Sequence, residues 1–146
     1  MIESLLATTP SKRPVVLLRS SAMTAVRIAA KRQAPSEICG VVRAVVQNEG
    51  IEIRSLALAP NCARDTVWGF RLRRKDAEAR KNTWLTEHGR LSGIFHSHTK
   101  RSAQPSRLDM VTMRRWPGIH LIAALDGPFR VFLSHDRIVE ADIRVI

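Results

Sequence analysis

His96 and His98 are separated by one serine at the end of an apolar run, Gly93-Ile94-Phe95-His96-Ser97-His98, that reads as a strand. Side chains two apart in a strand point to the same face, so both imidazoles can grip one cation. Asp109 follows eleven residues after His98, beyond the polar loop Thr99 to Pro105 and three residues into a short helix. A strand end and a helix start can converge on one point, setting two nitrogens and one carboxylate oxygen around a metal. Such a set suits zinc and leaves a fourth position for water, as in catalytic sites. Non-haem iron takes a similar set. Zinc lowers the pKa of water that it holds to ~7, which supplies hydroxide at neutral pH. Hydrolysis then needs a base to carry the water's proton to the leaving group, and a donor for the developing oxyanion. Glu37 lies in Pro35-Ser36-Glu37-Ile38-Cys39-Gly40, where a helix hands over to a strand, and is the best-placed base. Ser106, three residues before Asp109 on one helix face, is the candidate donor. Each has a plainer reading. Ser106-x-x-Asp109 after a proline also fits a capping box, and Glu37 also fits an acid paired with one of the many arginines.

The elements that would position these residues follow from patterning. Pro14 to Leu18 reads as a short buried strand. Ser20 or Ser21 can cap a helix to Gln33, with Ala22, Ala25, Val26 and Ala29 on one face and Pro35 beyond its end. Cys39 to Gln47 and Ile51 to Ala59 are β-rich runs joined by Asn48-Glu49-Gly50, a hairpin signal. A strand is expected around Val67 to Leu72, then a polar helix from Lys75 to His88, stopped by Gly89. The strand Leu91 to His96 leads to the helix Ser106 to Trp116, which Pro117-Gly118 ends. Ile119 to Leu125, Phe129 to Ser134 and Arg137 to Ile146 are the closing strands. That order implies an α/β (α+β) fold, one mixed β-sheet flanked by helices, over residues 14–146 behind a flexible leader at 1–13.

Composition narrows the function. With 146 residues the chain is one domain, and 45% apolar with 25% charged residues excludes global disorder. The two cysteines, Cys39 and Cys62, form no C-x-x-C pair, which excludes a disulfide framework and an all-cysteine zinc module. No apolar run approaches a membrane span, and the start lacks a signal-peptide pattern, so a cytoplasmic protein is expected. Lys plus Arg total 24 against 13 Asp plus Glu, a net charge of +11, and nineteen of the 24 are Arg. Such a field favours an anionic partner, whether nucleic acid or an acidic protein, without naming a function.

Taken together, Glu37, His96-Ser97-His98, seven residues, Ser106, two residues and Asp109 resemble the signature of the JAMM (MPN-plus, JAB-domain) zinc metalloproteases. The chain is most similar to small bacterial members that act on ubiquitin-like proteins, several of which also read H-S-H-T and P-S-R-x-D. The resemblance runs from about Pro14 to Ile146 and includes Glu37-Ile38-Cys39-Gly40 and the segment from Pro60-Asn61 to Phe70. It implies a JAB/MPN-like fold with layering like that of cytidine deaminases, although the zinc-deaminase signature itself is absent. It also implies one zinc ion per chain held by His96, His98 and Asp109, with Glu37 as general acid and base and Ser106 steadying the oxyanion. One position departs from the usual pattern: Thr99 stands where many relatives have proline directly after the second histidine.

The expected activity is cleavage of the amide bond at the C-terminus of a ubiquitin-like or sulfur-carrier protein, by deconjugation or by precursor trimming. E1-like or E2-like proteins of the same pathway are possible partners. The substrate tail is expected to lie beside the His96 strand by β-augmentation. Thr99, Arg107, Arg114 and Arg115 are expected to touch substrate, with the arginines, beside Lys100 and Arg101, receiving an acidic surface. Two alternatives stand beside this reading. The charge admits a nucleic-acid-binding protein, though no helix-turn-helix or ribonucleoprotein aromatic motif is present. A non-catalytic interaction module of the same fold is the other, and intact Glu37 and Ser106 argue against it.

Overall fold

The computed structural model describes residues 12–48, 50–81 and 90–146. Seven strands are present among the described residues: β1 (Val15–Leu18), β2 (Cys39–Gln47), β3 (Gly50–Ala59), β4 (Arg90–His98), β5 (Gly118–Ala124), β6 (Arg130–Ser134) and β7 (Ile138–Val145). Three helices accompany them among the same residues: α1 (Ser20–Gln33), α2 (Arg74–Lys81) and α3 (Arg107–Arg115). The strands pair in the order β1-β3-β2-β4-β5-β6-β7, and β7 returns to β1, so the sheet closes on itself. It is mixed: β1–β3, β1–β7 and β4–β5 are parallel, and the remaining pairs are antiparallel.

Period-two alternation assigns each strand face to a helix. Val42 and Ala44 of β2, Phe95 of β4 and Leu121 of β5 join Val26 and Ala30 of α1 in the largest apolar cluster. On the opposite parity, Cys39, Val41 and Ile94 pack with Ala77 of α2, and Ile122 and Ala124 pack with Met113 of α3. His96 and His98 share the parity of Ile94, so they face away from α1, while Ser97 faces the α1 side with Phe95. Gly93 is required where β4 meets β5, because a Cβ there would lie 1.7 Å from the Ile119 carbonyl oxygen.

Several sequence expectations need correction. Neither Ser20 nor Ser21 caps α1. Arg19 is the N-cap and makes no side-chain cap bond, and the Ser20 N–H donates instead to the Ile146 carbonyl at 2.9 Å. No strand forms at 67–72. Loop groups take up its backbone instead: Asn61 Oδ1 accepts from Arg71 N, Asn61 Nδ2 donates to the Gly69 carbonyl, the Cys62 N–H donates to the Arg71 carbonyl, and Asp65 Oδ1 accepts from Val67 N. The second helix is Arg74–Lys81, and the rest of the expected helix to His88 lies outside the described residues, as do residues 1–11 of the expected leader. The placement of a substrate tail beside His96 also fails: β4 is paired with β2 from His96 back to Arg90 and with β5 from Gly93 to His98, so no edge is free there. No helix among the described residues is long and apolar enough to cross a membrane.

Candidate metal centre

At the end of β4 the two imidazoles come together. His96 Nε2 and His98 Nε2 are 3.1 Å apart. The Asp109 carboxylate completes the group, with Oδ1 at 3.2 Å from His96 Nε2 and Oδ2 at 3.0 Å from His98 Nε2. All three residues are buried. Tetrahedral zinc with bonds of about 2.0–2.1 Å sets its ligand atoms roughly 3.3 Å apart, so the trio has the spacing that the ion demands. The donor set of two nitrogens and one carboxylate oxygen fits zinc, and His96, His98 and Asp109 would hold it.

The surroundings fix each donor. His98 Nδ1 lies 2.7 Å from the Ser102 carbonyl, which takes the ring proton and leaves Nε2 as the ligand atom. The Phe70 ring stacks on His96 with centroids 4.2 Å apart and planes at 23°. Burial pushes the His96 imidazole below its ordinary value, against the pull of Asp109, and so favours the neutral, ligating form. Burial works to raise Asp109, but closeness to both imidazoles and the Ser106 N–H wins and holds it well below the usual carboxylate range. Asp109 is the third residue of α3, and Met113, one turn on and fully buried, docks that helix face onto Ile122 and Ala124 of β5.

Ser106 and Asp109 form the capping box that their spacing allows: Ser106 Oγ accepts from Asp109 N at 3.0 Å, and Asp109 Oδ2 accepts from Ser106 N at 2.9 Å. The structural and chemical readings of Ser106 therefore coexist, because a hydroxyl that accepts one bond keeps its own proton to donate.

Glu37 lies between α1 and β2 and is almost wholly buried. Its backbone is held from the loop after β3: the Glu37 N–H donates to the Thr66 carbonyl at 2.6 Å, and Asn61 Nδ2 donates to the Glu37 carbonyl at 2.9 Å. Its carboxylate meets one cation, with Oε2 at 3.4 Å from Arg101 Nη2, while Oε1 is buried without a hydrogen-bond partner among the described residues. Burial raises the Glu37 carboxyl from its ordinary 4.5 to about 7, against the pull of His98 and Arg101. A carboxyl titrating there is suited to general acid–base work at neutral pH.

The expected substrate residues are placed less tightly. Thr99 Oγ1 donates to the Pro35 carbonyl at 2.9 Å, tying the metal loop to the turn before Glu37. Arg107 opens α3, whereas Arg114 and Arg115 close it, and all three are exposed. Both cysteines are free, and burial pushes the Cys39 thiol up to about 12, which leaves it inert. Sequence reasoning missed Asn61, Ser97, Phe70 and the pairing of Arg101 with Glu37. The sign of Asn61 and Phe70 was the segment from Pro60-Asn61 to Phe70 within the family resemblance, and Ser97 was legible only as the spacer between the histidines.

The sequence matches the family described as prokaryotic homologs of the JAB domain over residues 19–134. No curated protein matches it. Among solved structures, a protein of Desulfitobacterium hafniense superposes with a TM-score of 0.72 at 21% identity, covering 90% of this chain and 92% of that one. A Salinibacter ruber protein gives a TM-score of 0.60 at 20% identity, covering 88% and 90%. A JAB1/MPN domain protein from Archaeoglobus fulgidus gives 0.55 at 17% identity, covering 87% and 96%. These likenesses agree on the fold, and the chain belongs to the family of prokaryotic homologs of the JAB domain.

Proposed function

We propose that this chain is a zinc-dependent peptidase or isopeptidase that cleaves the amide bond at the C-terminal tail of a ubiquitin-like or sulfur-carrier protein. The observation that carries the reading is the buried His96-His98-Asp109 trio with a buried carboxyl, Glu37, close enough to feel both His98 and Asp109. A cation scaffold alone has no use for that second carboxyl.

A bound zinc ion would supply Lewis-acid polarisation of the carbonyl and a nucleophilic water at neutral pH. The chain's own groups do the rest. Arg101 holds Glu37 Oε2, so the unpartnered Oε1 is the atom that takes the water's proton and returns it to the leaving nitrogen. Ser106 Oγ turns its hydroxyl proton toward the carbonyl oxygen as negative charge develops there. An extended substrate has a better seat than β4. The β1–β3 pairing covers only Ile51 and Glu52, so Arg54 to Ala59 of β3 have no second strand partner among the described residues. Two hollows beside that edge share Ala29, Ile38 and Leu58, and the lining of one of them includes Glu37. Exposed Arg107, Arg114 and Arg115 offer cationic contacts to an acidic partner surface.

The test is incubation of the zinc-loaded chain with a ubiquitin-like protein extended beyond its terminal Gly-Gly, read by mass spectrometry. Cleavage after the glycines by wild type, and none by Glu37→Gln at equal zinc content, supports the reading. Equal cleavage by both proteins, or zinc loading without any cleavage, overturns it.

A further inference from the structure

Arg101 stands at the mouth of the site in a way that its pairing with Glu37 does not exhaust. Its guanidinium lies 5.8 Å from the Trp68 ring centroid, and Lys100 Nζ lies 5.6 Å from the same centroid. Trp68 is itself half exposed. The Arg101 side chain is 29% exposed, so it reaches solvent from beside a carboxylate that does not. Only Nη2 meets Glu37, and the Nε–H is buried without a hydrogen-bond partner among the described residues. The loop that carries it is tied at both flanks, by Thr99 to Pro35 and by Ser102 to His98. The guanidinium is thus preorganised, with donors that Glu37 does not use.

We propose that Arg101 is a specificity residue, an anchor for a free α-carboxylate, which selects substrates whose C-terminus lies one or two residues beyond the cleaved bond. This rests on the peptidase reading above. In hydrolysis the carbonyl carbon gains the water's OH, the C–N bond breaks, and the leaving nitrogen gains its proton from Glu37. The leaving nitrogen must therefore sit against Glu37, and with it Arg101. An extended chain advances about 3.3–3.6 Å per residue, so a carboxylate one or two residues past that nitrogen falls roughly 3.5–7 Å away, where the guanidinium waits. A planar guanidinium is suited to carboxylate, and the part of Arg101 that reaches solvent presents it. When the leaving group is instead a lysine side chain of a conjugated protein, no carboxylate lies within that reach. Arg101 therefore favours trimming of a short C-terminal extension over release of a conjugated protein.

The experiment compares one dipeptide leaving group, Ala-Ala, as free acid and as C-terminal amide. Binding to the zinc-loaded chain is followed at the Trp68 indole N–H resonance, assigned with Trp68→Phe. In parallel, kcat/KM is measured for a Gly-Gly-Ala-Ala tail in the same two forms. Wild type is expected to favour the acid by about tenfold or more in both measurements. Arg101→Gln should bring the ratio to near one at unchanged zinc content, and Arg101→Lys, with charge but no fork, should fall between. A ratio near one in wild type, or a preference that survives in Arg101→Gln, overturns the proposal. If neither tail is cleaved, the peptidase reading fails, and the binding arm still decides whether Arg101 holds a carboxylate.

Discussion

Ser97, the residue between the two metal-facing histidines, closes a pair of hydrogen bonds on Ile38, the residue after Glu37. Ser97 N donates to the Ile38 carbonyl at 3.0 Å, and Ser97 Oγ accepts from Ile38 N at 2.9 Å. Strand alternation makes this possible, since the side chain that cannot face the metal must face the other way. The metal strand and the acid–base residue are thereby locked in one register.

Ser97→Ala tests that lock. It leaves the buried Ile38 N–H without its acceptor, so about 1–3 kcal/mol of stability is lost. Because Glu37 sits one residue away, kcat should fall by up to ~100-fold, as expected for a displacement near 1 Å. Zinc content should not change. Denaturant unfolding, metal analysis and turnover separate the three effects.

The raised carboxyl of Glu37 makes a prediction about stability and pH in the metal-free chain. Its folded pKa of about 7 lies above its ordinary 4.5, so in that interval the folded state keeps a proton that the unfolded state releases. Stability therefore falls as pH rises from 4.5 to about 7, then levels. Glu37→Gln removes that slope. Relative to wild type it should gain on the order of 1–3 kcal/mol at pH 8 and little at pH 4. His98, Arg101, Asp109 and Asp65 are the titratable and charged groups around it and are unchanged in the variant. Melting curves across pH in the presence of a chelator are the measurement.

Ser106 has two duties that can be pulled apart. Ser106→Ala should cost about 0.5–2 kcal/mol through loss of the N-cap and should also lower turnover. Ser106→Asp restores an acceptor for the Asp109 N–H but has no hydroxyl proton to donate, so stability should recover while turnover does not. Recovery of both would assign Ser106 to capping alone.

The grouping of His96, His98 and Asp109 and the capping box were legible because they depend on local geometry, namely strand alternation and helix spacing, whereas Glu37 was singled out by its place between α1 and β2 and by the family resemblance. The mixed sheet was legible for a similar reason, since apolar runs and turns mark strands one at a time. Closure of the sheet was not, because the parallel β1–β7 pairing joins the two ends of the chain. The segment 67–72 misled because it has strand composition, whereas Asn61, the Cys62 N–H and Asp65 supply the partners that would have come from a ladder. The Glu37–Arg101 contact spans 64 positions, and no pattern in either segment announces it.

Zinc titration of the metal-free chain by calorimetry tests the central claim most directly. The account predicts one zinc ion per chain for wild type and loss of that binding in Asp109→Ala, with both proteins folded by circular dichroism. A folded wild type that takes up no zinc, or zinc binding that survives in Asp109→Ala, would contradict it.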